Sequence, residues 1–349
     1  MYTARVALPA VYGTGSPKGN NAEMKTDGWE LSLSWRDSFK LGGKPFDYSI
    51  KAMVWDSKSV ITKYVNDTGS LGTVKGFIEN GGSPSSYYVG MTVGEIWGYT
   101  VAGLFRDQAD IDSSAIHDFV QASDKVTRPG QVKIADLDGN GFIDPGNFAV
   151  DDHGDLRIIG NQSPRYRYGV NLSARWNGIG LSVFLQGVGA RDWYPGSDAG
   201  MFWGKYGRPF FALIPSIHNY TDDMYSAERN NWDTAYWPRM TTYQSNGTKN
   251  WTRLLEIPNT RYIQSAAYLR VKNIQLDYSF PKHICSAIRL QGLKIYVNAE
   301  NLFTFTPLHK YAPNFDPEGL SYDSDFASAA DGYTYPILKS VTVGVNITF

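Results

Sequence analysis

The run Asp136-Leu137-Asp138-Gly139-Asn140-Gly141-Phe142-Ile143-Asp144 places an oxygen donor at nearly every second residue. Asp136, Asp138, Asn140 and Asp144 match positions 1, 3, 5 and 9 of an EF-hand-like loop. Gly141 stands at position 6, where that loop turns sharply, and the Phe142 carbonyl would serve as position 7. Hard oxygen ligands at this spacing can wrap one Ca²⁺. Position 12 is Asn147 rather than the bidentate Glu, so the set is one carboxylate short, and Asp151, Asp152 or Asp155 could supply it. No flanking helices are evident. An ion held this way would bind in the weak extracellular range of ~10⁻⁴–10⁻³ M. The alternative is a Gly-rich acidic turn in a solvated loop.

Aromatic side chains form the second chemical cluster. Residues 193–262 are dense in Trp, Tyr and Phe, and Trp193, Tyr194, Trp203, Trp232 and Trp237 are the candidates for contact with a substrate or a lid. Aromatic faces stack on sugar rings and also build protein interfaces. The competing role is to fold the loop onto itself and onto whatever lies below it. Catalytic patterns are missing. His117, His153, His218, His283 and His309 are scattered, with no H-E-x-x-H pair. No G-x-S-x-G elbow occurs. The Gly-rich stretch at 13–19 lacks the Lys-Ser/Thr ending of a phosphate loop. The chain is therefore read as a non-enzyme. Cys285 is the only cysteine, which excludes an internal disulfide and a thiolate metal site.

The elements that must position these clusters are strands. In 28–37 Trp29, Leu31, Leu33 and Trp35 oppose Glu30, Ser32, Ser34 and Arg36. The same period of two recurs in 168–176, 181–189, 274–280 and 293–300. The last segment sets Val341, Val343, Val345, Ile347 and Phe349 against Thr342, Gly344, Asn346 and Thr348. The polar faces carry Glu30, Arg36, Arg175, Asp277, Lys294 and Glu300, whereas Trp29, Trp35, Trp176, Tyr278 and Phe280 sit near strand ends. Charged residues make up 19%, aromatics 14%, and formal net charge is -1, so the composition points to no nucleic-acid partner. Mean hydropathy is -0.34 and no apolar run approaches the ~20 residues of a spanning helix, a limit that leaves β-barrels open.

Connection lengths alternate along the chain. Residues 39–45, 177–180 and 281–289 are short, and 61–163, 193–262 and 306–334 are long. An antiparallel up-and-down transmembrane barrel with short periplasmic turns and long extracellular loops requires this alternation. About seven spanning strands are counted, with an eighth suggested near residues 2–12. The boundaries expected are a partial strand and external loop over 1–27 and barrel wall over 28–349. On this reading Val343, Val345, Ile347 and Phe349 form a C-terminal barrel-assembly signal.

Several blocks in order now resemble one family. "NNAEMKTDGWELSLSWRD", "GMTVGEIWGYTVAGLF", "VKIADLDGNGFIDPGN", "RIIGNQSPRYRYGVNLSARWNGIGLSVFLQGVG", "AAYLRVKNIQLDYSFP" and "LKIYVNAENLFTFT" resemble the C-terminal part of the SusC/RagA TonB-dependent outer-membrane transporters of Bacteroidetes. The resemblance runs from about residue 20 to 349. It implies a bacterial outer-membrane location, a 22-strand barrel, an N-terminal plug and drive from the TonB complex. It also implies a SusD-like surface lipoprotein as lid, and oligosaccharide or peptide substrates. Plug, TonB box and about half the strands find no counterpart in the sequence, so the chain is expected to be a fragment that does not transport alone. The expected partners are thus the rest of the barrel and plug, membrane lipid, the lipoprotein and the TonB complex. Two rivals stand beside this reading: a secreted β-rich glycan-binding protein with a calcium loop, and a small self-closed outer-membrane barrel.

Overall fold

Eight strands form one antiparallel sheet in chain order: β1 (Tyr2–Arg5), β2 (Lys18–Leu41), β3 (Lys44–Lys63), β4 (Arg165–Trp176), β5 (Ile179–Ala190), β6 (Tyr268–Ser279), β7 (Gly292–Phe305) and β8 (Ser340–Thr348). The computed structural model describes residues 2–5, 18–64, 87–117, 127–195, 202, 223–239, 258–320 and 337–349. Each strand pairs with its neighbours in sequence, and no register joins β1 to β8 among the described residues.

The register explains the alternation. Trp35, Ile50, Leu172, Val183, Ile274, Ala299 and Val341 are successive cross-strand partners from β2 to β8. One residue along lies a wholly polar row of Arg36, Ser49, Ser173, Ser182, Gln275, Asn298 and Thr342. Because the strand period is two, these rows occupy opposite faces. The apolar face is uncovered: Leu33, Trp35, Leu276, Val297 and Val343 are all exposed. On the polar face Asp277 takes Lys294 at 2.9 Å and Arg175 at 3.6 Å, and Asn273 donates to Asn298 at 2.8 Å.

Two hairpins close on two residues. Gly42 and Gly43 join β2 to β3, and Asn177 and Gly178 join β4 to β5, all four with positive φ. That is the primed turn whose twist matches the flanking strands. The first hairpin is therefore longer than its sequence suggested. Residues 39–41 and 44–45, read as connection, are paired strand, and β2 begins at Lys18, before the boundary expected at 27. The β6–β7 connection holds a short helix, Lys282–Ala287, that buries Cys285. Phe39, Phe46, Trp176, Ile179 and Tyr278 form the apolar row nearest these turns. Trp176 and Tyr278 are thus at strand ends as expected, whereas Trp35 stands two rows farther in.

The sheet buries little of its own surface. The buried core lies in the long connections at the opposite end: Tyr99, Leu104, Val132, Ile134, Ile143, Leu156, Trp193, Phe202, Trp237, Tyr262, Leu308 and Phe315 share one cluster. Short strand pairs stiffen it, Glu95–Tyr99 with Leu156–Asn161 and Val101–Leu104 with Val132–Ile134. Residues 210–220, whose sequence allows a short helix, lie outside the described residues.

Candidate functional site

The acidic loop follows the strand Val132–Ile134 and runs into Phe142–Ile143, which pairs in parallel with Ile116–His117. The Gly141 backbone has φ +85, a conformation that a side chain would strain. Asp136 accepts the amides of Gly139 at 2.6 Å and Gly141 at 2.9 Å, and Asp138 accepts that of Asn140 at 3.0 Å. Asp155 enters from the far side. It is 0% exposed, and its two oxygens accept the amides of Leu137 at 2.6 Å and Asp144 at 3.0 Å.

The carboxylates of Asp136, Asp138 and Asp155 converge, with one oxygen of each within 4.8 Å of the others. Of the three acids that could complete the loop, Asp155 is the one brought to it. Asp144 instead turns its oxygens to the Gly146 amide at 2.6 Å and the Asn140 side-chain amide at 3.2 Å. Burial raises the Asp155 pKa above the usual carboxylate range against its two amide bonds, and the charges of Asp138 and Asp136 add to the rise. Asp136 is held below that range, first by the Gly141 amide. Three converging carboxylates are a donor set suited to a hard cation, whereas the Asn140 oxygen accepts the Phe142 amide at 2.7 Å.

The aromatic residues separate into two groups. Trp193, Tyr194 and Trp237 are buried in the loop core. Trp193 meets Phe315 at 4.9 Å between centroids, Trp237 stacks on Tyr262 at 5.7 Å, and the Tyr194 hydroxyl accepts from Asn259 at 2.8 Å. Their faces are occupied by protein neighbours, as the packing alternative required. Trp232 is 36% exposed. Trp203 lies outside the described residues.

A charged cluster that the sequence reading missed fastens this core to the wall. Phe184 pairs with Asn273 and Leu185 with Val271, so Lys272 is an extra residue in β6. The bulge reverses the facing of β6 beyond it. Leu269 and Val271 then continue the apolar face, and Tyr268 and Arg270 turn to the polar one. Arg270, 2% exposed, donates to Thr304 at 2.9 Å, Asp316 at 2.6 Å and Glu318 at 2.8 Å, and Lys272 reaches Glu318 at 2.8 Å. The sequence signal was a step of three between Val271 and Ile274 where a regular strand demands two.

At the chain end Val343, Val345, Ile347 and Phe349 lie exposed on the apolar side. A Cβ on Gly344 would come 2.3 Å from the Tyr296 ring, so the ring lies over the glycine and must shift to admit any larger residue.

No family model matches the chain. Curated relatives do. TonB-dependent receptor P3 of Formosa agariphila is 24% identical over 350 residues, covering 98% of this chain and 30% of the relative. TonB-dependent receptor P26 of the same organism is 22% identical over 99% of this chain and 31% of its own length. Among solved structures, the RagAB peptide transporter matches with a TM-score of 0.61 at 16% identity, over 99% of this chain and 31% of that one. The chain has the barrel-wall fold of the TonB-dependent receptors. The RagAB peptide importer in its open-open state agrees, with a TM-score of 0.60 at 17% identity. The chain thus spans about a third of the length of the receptors it matches. Set within such a barrel wall, the open sheet order from β1 to β8 is that of an arc with partners available on both sides.

Proposed function

We propose that this stretch forms part of the wall and external mouth of a SusC-like outer-membrane importer. The importer would take up oligosaccharides or peptides, driven by the TonB complex and capped by a SusD-like lipoprotein. The observation that carries the reading is the two-faced register, with uncovered apolar rows crossing from β2 to β8 behind a mostly polar face. Lipid satisfies the first face and a wet lumen the second. β2 has 24 residues and a tilted span needs only ~9–11, so its far half would stand clear of the bilayer beside the loop core. A soluble glycan-binding protein would have to leave those rows in water.

Fractionation of cells that carry the gene tests the reading, paired with uptake of labelled oligosaccharides and peptides. Recovery in the outer membrane and uptake abolished by a protonophore support it. Recovery in the soluble fraction refutes it.

We also propose that the loop of Asp136, Asp138, Asn140, Phe142 and Asp144, completed by Asp155, holds Ca²⁺ at this external mouth. Its role would be structural, since it neutralises carboxylates that otherwise repel. Calorimetry on the purified protein should show calcium heat that Asp136→Ala abolishes. Identical traces from both proteins would refute it.

A further inference from the structure

We infer that the polar face of the wall carries a subsite for a ligand carboxylate, with Arg167 as its recognition residue; the inference rests on the importer reading. Arg167 lies on β4 in register with Trp55 of β3 on one side and Val188 of β5 on the other, and Val188 in turn pairs with Tyr268 of β6. The adjacent polar-face row is Met53, Gly169, Gln186 and Arg270. Beside Arg167 lies a cleft of about 340 Å³. The segment 316–320, tied down through Arg270, supplies Glu318 to one side of it.

The charges lining this cleft are unequal. Arg167, Arg191 and Lys272 face a single carboxylate, Glu318. Glu318 is already committed: it accepts from Lys272 and Arg270, both at 2.8 Å, and from the Tyr268 hydroxyl at 2.9 Å. Arg191 donates to the carbonyls of Gln162 and Pro317, each at 3.2 Å, and of Leu320. Those carbonyls hold the side chain in place. The Arg167 side chain is exposed and makes no hydrogen bond or ion pair among the described residues. A guanidinium fork is built for bidentate pairing with a planar carboxylate. Trp55 next to it offers an aromatic face to the rest of the ligand. A peptide C-terminus and a uronic acid present the same carboxylate, and both classes fit an importer of peptides or oligosaccharides.

The test is calorimetry on the protein extracted from its native membrane into detergent. The probes are trialanine, trialanine amide, trigalacturonate and its methyl ester. Each acid is compared with its neutral counterpart on wild type, Arg167→Gln and Arg36→Gln, the last being a polar-face arginine that does not line the cleft. At least one acid should bind about tenfold or more tightly than its neutral form, a gap of ~1.4 kcal/mol or more. Arg167→Gln should shrink that gap to about twofold, and Arg36→Gln should leave it intact. A gap for trialanine alone identifies a peptide terminus, and one for trigalacturonate alone an acidic sugar. Three results overturn the inference: neither acid binds, the gap survives Arg167→Gln, or that variant weakens acid and neutral probes alike. Energised uptake by wild-type cells is measured separately. Uptake without any preference for acids removes the subsite alone, whereas the absence of energised uptake removes the importer reading beneath it.

Discussion

Replacing Arg270 with Met should release the 307–320 segment from the wall while leaving the wall folded. The Arg270 side chain is 3% exposed, and its partners Asp316 and Glu318 are 21% and 16% exposed. Removing one partner of a buried ion pair costs about 3–5 kcal/mol, because the other charge stays behind uncompensated. Two features place this case at the lower end. Lys272 keeps its bond to Glu318, and Asp316 is close enough to solvent to regain some water. A loss of ~3 kcal/mol corresponds to roughly a hundredfold rise in the open population of the segment. Hydrogen exchange reads this directly. The Ala312 amide bonds to Leu308 and the Phe315 amide to Ala312, so both should exchange about a hundredfold faster. Amides in the β4–β5 hairpin should be unchanged. Adding Asp316→Asn to Arg270→Met removes the stranded charge and should restore at least half of the protection. Exchange in 307–320 altered less than about threefold, or equal acceleration in the wall, would refute the argument.

The acidic loop gives a pH prediction with a definite sign. Asp155 has a raised pKa, so in the metal-free protein its ionisation costs stability. The loop core should therefore become more stable as pH falls from neutral into the carboxylate range, until protonation of Asp136, held low in the fold, reverses the gain. With calcium bound the first trend should invert, because the ion needs Asp155 charged. Melting followed by Trp193 fluorescence, in chelator and in calcium, checks both trends; equal pH slopes would exclude the ion. Gly344→Val should weaken the pairing of β7 with β8, since its Cβ falls on the Tyr296 ring. Heat-modifiable mobility on gels should be lost, and Tyr296→Ala in the same chain should recover part of it. Val183→Arg, in the apolar row that runs through Trp35, Ile50 and Leu172, should lower folding stability in lipid bilayers by ~2–4 kcal/mol. Ser182→Arg, one residue along on the polar face, should cost less than half of that, and equal costs would refute the assignment of faces.

The wall was legible because its information is local and periodic. A period of two declares a strand, and the residues lost at each turn are few. Asn177-Gly178 announces its own hairpin, whereas Gly42-Gly43 was surrounded by Lys40, Leu41, Lys44 and Pro45, which look like loop until the register is known. The loop core was not legible in the same way. Tyr99 meets Asn259 through an isolated bridge, and Trp193 meets Phe315, so its contacts join residues more than a hundred positions apart. Nothing in the sequence near Trp193 says whether its ring faces a ligand or Phe315. The acidic loop lies between these cases. Spacing pointed to Asp136 and Asp138, and only the fold brought Asp155 to them rather than Asp151 or Asp152.

The bulge at Lys272 shows why a wall of this kind can carry a structured mouth. A perfectly regular β6 would have kept one facing to its end and placed Arg270 on the apolar side. One extra residue reverses that facing, and the strand then offers apolar Leu269 and Val271 outward and a buried guanidinium inward. The inward arginine meets acids on a segment that also buries Leu308 and Phe315 in the loop core. Wall and core are thus joined by charge-assisted hydrogen bonds, which are strong where water is excluded and are lost together when one member is removed. The same reversal brings Tyr268 beside Val188 and Arg167 and so completes the cleft. The residue that breaks the alternation therefore fixes the loop core and also shapes the surface a carboxylate would meet, so deleting Lys272 should disturb both together.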